Sequence, residues 1–151
     1  MPNRKDLIDE IRDELIPHSR AEESVFYNSL RTIEAAKDVV SHAYREHIEA
    51  EALLKTLQLK DKIDAGWKKT ARKLRDSLEH HIEEEEYRIF AVARQHITDE
   101  EANKIGEAFK RLKPEIKEEG FLDTTFDRIA NMMPARFSRA VRGEQEHQVS
   151  A

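Results

Sequence analysis

Apolar residues recur at spacings of three and four along most of the chain, the pattern of amphipathic helices. Over residues 4–33 they are Leu7, Ile8, Ile11, Leu15, Val25, Phe26, Leu30 and Ile33. Pro17 falls inside this run. Because it lacks an N–H and crowds the preceding turn, the sequence predicts a kink there or two collinear pieces. A second stripe, Ala36, Val40, Ala43, Tyr44, Ile48, Leu54 and Leu57, predicts a helix over about 36–59, followed by a connection at 60–63. Asp64 is placed to cap a third helix, whose stripe is Trp67, Ala71, Leu74, Leu78, Ile82, Ile89 and Val92 and which ends near His96. Thr98-Asp99-Glu100-Glu101 opens a fourth, carrying Ile105, Phe109, Leu112 and Ile116 to a stop near Gly120, with Pro114 expected to shorten it. Phe126, Ile129, Met133, Phe137 and Val141, divided by Pro134, predict a short amphipathic arm. Residues 143–151 have nothing to bury and are read as disordered.

The expected fold class is therefore all-α: an antiparallel up-and-down bundle over residues 1–119, with a C-terminal arm and tail over 120–151. Composition supports this, since 4 Gly and 4 Pro in 151 residues are too few for the frequent turns of a sandwich or barrel. A net charge of −5 argues against nucleic acid or an anionic membrane surface as a partner. Cysteine is absent, which removes disulfides, thiol catalysis and thiolate ligation, so any metal must be held by nitrogen and oxygen. The sequence has no apolar run of membrane-spanning length and no signal-peptide centre near its start; a soluble, cytoplasmic chain is the expectation.

The histidines change the picture. Of seven, six have Glu four residues later: His18-Glu22, His42-Glu46, His47-Glu51, His80-Glu84, His81-Glu85 and His96-Glu100. With 21 Glu in 151 residues, chance would supply about one such pair. Residues four apart share a helix face, so an imidazole and a carboxylate at this spacing can ligate one metal or neighbouring metals. Three pairs interrupt the apolar stripes and so face inward: His18 and Glu22 between Leu15 and Val25, His47 and Glu51 between Tyr44 and Leu54, His81 and Glu85 between Leu78 and Ile89. His42 and Glu46 fall instead with Asp38, Arg45 and Glu49 on a face read as solvated. His80 and Glu84 lie beside the third stripe, and His96 is read as a cap on the helix C-terminus. A single inward His is ordinarily a hydrogen-bonded core residue. Three buried carboxylates with no Lys or Arg recurring on their stripes are costlier, and a bound cation is the simplest compensation. Mixed imidazole and carboxylate donors suit iron, with zinc or manganese fitting the same set, and six side chains suit two octahedral ions better than one tetrahedral one.

The segments LIPHSRAEESVFY at 15–27, REHIEAEALL at 45–54, LEHHIEEEEYRIFAVARQHITDEE at 78–101 and NMMPARF at 131–137 resemble the hemerythrin-like, HHE cation-binding family. The resemblance implies a non-haem centre of two iron ions on His18, Glu22, His47, Glu51, His81 and Glu85. It also implies a small diatomic ligand or oxidant as partner, so that the chain is expected to bind or sense O2 or a related oxidant more than to act as an enzyme. A di-iron enzyme acting on peroxide, NO or Fe(II), and a metal-free helical dimerisation module, are the alternatives. The family pattern usually begins with a further helix bearing another His, whereas residues 1–17 contain none. The bundle is thus expected to lack one wall and one ligand, with the arm at 123–141 covering the gap in its own chain or across a homodimer.

Overall fold

The computed structural model describes residues 3–119 and 123–150. Helix α1 (Arg4–Ala21) starts at a capping box, in which Asn3 accepts from the Asp6 N–H and the Asp6 carboxylate accepts from the Asn3 N–H. It passes through Pro17 unbroken, continues as a π-helical turn, Glu22–Tyr27, and ends as α2 (Asn28–Leu30). The expected split at Pro17 is absent because α1 is packed on both sides, by α3 (Lys37–Leu59) and by α6 (Asp99–Glu119). That packing outweighs the roughly 3 kcal/mol such a proline costs an isolated helix.

A 3-10 turn, Glu34–Ala36, leads into α3. Asp64 caps α4 (Ala65–Glu84) by accepting from the Trp67 N–H at 2.8 Å. A second π-helical turn, Glu85–Ile89, joins α4 to α5 (Phe90–His96). Thr98 and Glu101 exchange hydrogen bonds of 3.1 Å at the start of α6, the predicted capping box. Pro114 does not shorten α6; the predicted stop, Gly120, lies outside the described residues. Helices α7 (Asp123–Met132) and α8 (Ala135–Ser150) flank Pro134 as expected. The disorder predicted over 143–151 is not what the structure shows over 143–150, since α8 continues to Ser150; residue 151 lies outside the described residues. Among the described residues no helix is long and apolar enough to cross a membrane.

The chain is an all-α bundle in which α3 pairs with α4 and α1 lies between α3 and α6. One end is closed by Ile8, Leu54, Leu57, Trp67 and Leu74, with the Trp67 indole donating to the Leu57 carbonyl at 3.1 Å. Another core gathers Tyr27, Leu30, Val40, Ala43 and Ile89. Along α3 the buried residues run Val40, Ala43, Glu46, His47, Ala50, Leu54, so a polar layer separates the two apolar ones.

Four residues assigned to the stripes are exposed: Leu7, Ile11, Ile48 and Ile82. Ile48 and Ile82 each follow a histidine that holds the inward position. One residue further turns the side chain by about 100°, toward solvent. Leu7 and Ile11 line an open groove beside Lys113 of α6.

Within its own chain the C-terminal arm does not line the side next to His18 and Glu22. Ile129, Met133, Phe137 and Val141 instead pack on Ala21, Val25 and Leu112, behind α1 and α6. Helix α6 itself lines the side of the bundle next to His18 and Glu22.

Candidate metal centre

Three of the six predicted side chains converge. Glu22 opens the first π turn, His47 lies on α3 and His81 on α4, with one ligand atom of each within 4.8 Å of the others. His47 Nε2 is 3.0 Å from Glu22 Oε1 and 3.1 Å from His81 Nε2, and His81 Nε2 is 3.8 Å from Glu22 Oε1. All three residues are buried. His18 and Glu85 stand at the rim: His18 Nε2 is 3.6 Å from Glu22 Oε2, and Glu85 Oε2 is 3.7 Å from His81 Nε2. The half-exposed His18 ring meets Phe109 of α6 edge-on. Glu51 is not part of the convergence. Its carboxylate takes the Arg20 guanidinium, with Nη2 2.8 Å from Oε1 and 2.9 Å from Oε2. The sequence offered no cation for these carboxylates because Arg20 sits off the α1 stripe and reaches across to α3.

Two contributors were missed by the stripe reading. Glu23 Oε2 lies 2.7 Å from His47 Nδ1, while the Arg20 guanidinium donates to both Glu23 oxygens. Arg20 thus fixes a carboxylate that in turn orients the imidazole, the arrangement that sets which ring nitrogen faces a metal. The only signal in the sequence was the Glu22-Glu23 doublet. Tyr27 is fully buried and its hydroxyl donates to Glu22 Oε1 at 2.9 Å. In a regular α-helix residues five apart diverge. The π turn brings Tyr27 back over Glu22, and such turns recur at functional sites.

Burial opposes ionisation of Glu22, but hydrogen bonds with His18, His47 and His81 outweigh it and hold the carboxyl far below its usual range. For His47, burial disfavours the charge, yet hydrogen bonds to Glu22 and Glu23 push the imidazole up to about 9. Burial, then the negative charge of Glu22, raises the Tyr27 hydroxyl, which stays a neutral donor. Without a cation, a proton on His47 holds the cluster together. The donor set fits a metal on the structure's own terms. Two imidazole nitrogens face each other beside a buried carboxylate, and the outer nitrogen of His81, Nδ1, is buried without a hydrogen-bond partner.

The remaining pairs are placed differently from the sequence reading. Glu46, read on a solvated face, is buried, and Glu84, read beside its stripe, is nearly so; they meet His42 and His80 between α3 and α4. At the C-terminus of α5 the His96 carbonyl accepts from Arg136 of α8 at 2.6 Å.

A helical bundle with imidazoles and carboxylates buried together is a cation-binding domain. Residues 2–93 match the model of the hemerythrin HHE cation binding domain, and the chain belongs to that family. It is also similar to a DNA nickase of Nostoc sp. (strain PCC 7120 / SAG 25.82 / UTEX 2576), 28% identical over 109 residues. That match covers 72% of this chain and 31% of the nickase, so the chain spans less than a third of that protein's length. No solved structure matches.

Proposed function

We propose that the domain holds a carboxylate-bridged pair of iron ions and binds or senses O2 or a related small oxidant. The observation that carries this reading is the way Glu22 divides its two oxygens. Oε1 faces His47 and His81, while Oε2 faces His18, so one carboxylate addresses two separate sets of imidazole donors. One ion would take His47, His81 and Glu22; the other would take His18, Glu85 and the second oxygen of Glu22. An iron pair so held supplies reversible redox chemistry and open positions for a small ligand.

The chain's own residues prepare that site. Tyr27 and His47 fix the Glu22 carboxylate, and Arg20 with Glu23 keeps His47 Nδ1 engaged so that Nε2 points inward. A cavity of about 530 Å³ opens beside His18, Glu22 and Glu85, with Phe26, Phe90, Ile97, Ile105 and Phe109 among its walls. A cavity of this size with apolar walls admits a diatomic molecule while offering few groups to hold a polar substrate. The activity named for the Nostoc protein does not enter this reading. The chain spans 31% of that protein, and a net charge of −5 is the reverse of the basic footprint that phosphate contacts require.

The test is anaerobic loading with Fe(II), metal analysis and exposure to air. Two irons per chain that depend on Glu22, together with an absorption that develops in air, are expected. A colourless chain that retains only trace iron overturns the reading.

A further inference from the structure

A second constellation lies on the outer side of the α3–α4 pair, on the far side of His81 from Glu22. We propose that His42, Glu46, His80 and Glu84 form a separate site for one divalent cation of the zinc class. Each helix contributes one His-xxx-Glu pair, and the pairing of α3 with α4 sets the two pairs face to face. One ligand atom from each of the four residues lies within 4.8 Å of the others. His42 Nε2 is 3.1 Å from Glu46 Oε1 and 3.2 Å from Glu84 Oε2, and His80 Nε2 is 3.0 Å from the same Glu84 oxygen.

Glu46 supplies the independent observation. Only 7% of the residue is exposed, yet neither Oε1 nor Oε2 has a hydrogen-bond partner. His42 Nε2 is near enough to Oε1 but is not angled to donate to it, and Oε2 stands 3.7 Å from His81 Nδ1. A buried carboxylate left this way is costly as an anion. A cation shared with His42 resolves that cost where a hydrogen bond does not. On Glu84, Arg88 engages Oε1 at 3.3 Å, which leaves Oε2 directed at the two histidines. Arg88 thus neutralises the second carboxylate in part and orients it.

Two imidazoles and two carboxylates, one donor atom each, match four-coordinate Zn²⁺. An open groove that includes His42, Glu46, Lys73 and His80 gives the ion access from solvent. The site shares no ligand with the inner cluster. Glu46 stands between the two, one oxygen toward His42 and the other toward His81.

The experiment is a Co²⁺ titration of the full chain, followed by equilibrium dialysis and visible absorption, with Zn²⁺ as competitor. Four-coordinate Co²⁺ gives intense d–d bands, and these are expected to vanish as Zn²⁺ displaces it. His42→Ala/His80→Ala should bind one Co²⁺ fewer and lose those bands, while its iron content and air-dependent absorption stay unchanged. His47→Ala/His81→Ala should show the reverse, which separates failure of this site from failure of the inner one. His42 and His80 are 43% and 65% exposed, so their truncation leaves the core intact. Glu46→Gln, which keeps the side-chain volume, should weaken Zn²⁺ binding by more than ~10-fold. Unchanged Co²⁺ stoichiometry and spectrum in His42→Ala/His80→Ala, or no Co²⁺ held by these residues in the unaltered chain, overturns the proposal.

Discussion

Iron uptake by the inner cluster should be driven by pH, and the size of the effect follows from His47. In the metal-free chain its imidazole is wedged between Glu22 Oε1 at 3.0 Å and Glu23 Oε2 at 2.7 Å and keeps its proton up to about pH 9. A metal at Nε2 must displace that proton, whereas Nδ1 can stay with Glu23, so uptake releases one proton per site at neutral pH. Below pH 9 the apparent affinity should rise close to tenfold per pH unit. From pH 6.5 to 8.5 the deprotonated fraction grows roughly 75-fold, equivalent to about 2.5 kcal/mol. An imidazole at its ordinary value of 6.5 would gain only about twofold over the same interval. Anaerobic Fe(II) competition against a chelator of known proton affinity measures the slope. Calorimetry in two buffers of different ionisation enthalpy counts the proton. A twofold rise, or no proton released at pH 7, refutes the arrangement of Glu22, His47 and Glu23 described above.

Further outcomes are expected. In the metal-free chain, His47 with its raised value stabilises the fold fully below about pH 6.5, and that contribution is lost as pH rises toward 9. Thermal melts should therefore fall over this interval in the unaltered chain and stay flat in His47→Gln. Glu23→Gln should weaken iron binding by ~10–100-fold without changing its stoichiometry, as measured by chelator competition, because it replaces the charged carboxylate that orients and polarises His47 with a neutral, weaker acceptor. Arg20→Ala leaves Glu51 and Glu23 without their guanidinium and should cost about 1–3 kcal/mol in urea unfolding, between the values of exposed and buried pairs. Glu51→Gln should retain both irons, and loss of one would restore Glu51 as a ligand. Phe137 is fully buried against the α1–α6 core, so Phe137→Ala should cost about 3–5 kcal/mol; a change below about 1 kcal/mol would mean the arm is not part of that core.

The sequence by itself determined the helices and much of their punctuation. Asn3 was not singled out, but Asp64 and the Thr98–Glu101 box cap where their residue types require, because capping is decided within a single turn. The three-and-four spacing also selected Glu22, His47 and His81, since a polar residue that interrupts an apolar stripe must point where the stripe points. Periodicity assumes a constant angle per residue and ignores what stands opposite. For that reason it did not foresee the π turns at Glu22–Tyr27 and Glu85–Ile89, the first of which carries Tyr27 back to Glu22.

It likewise placed Glu46 on a solvated face and Glu84 beside its stripe, because on either helix alone they lie off the line of apolar residues. The packing of α3 on α4 buries both in the seam with His42 and His80. Arg20 was off its own stripe for the same reason, and only the approach of α3 gave it Glu51. Which wall closes the site was also a tertiary decision. Helix α6 and the arm both offer amphipathic faces, and the pattern does not rank them. The structure sets Phe109 of α6 against His18, while Phe137 of the arm packs on Val25 behind α1. A helix's own residues fix which face it buries; which partner receives that face, and what becomes buried at the seam, depends on contacts between residues far apart in the chain.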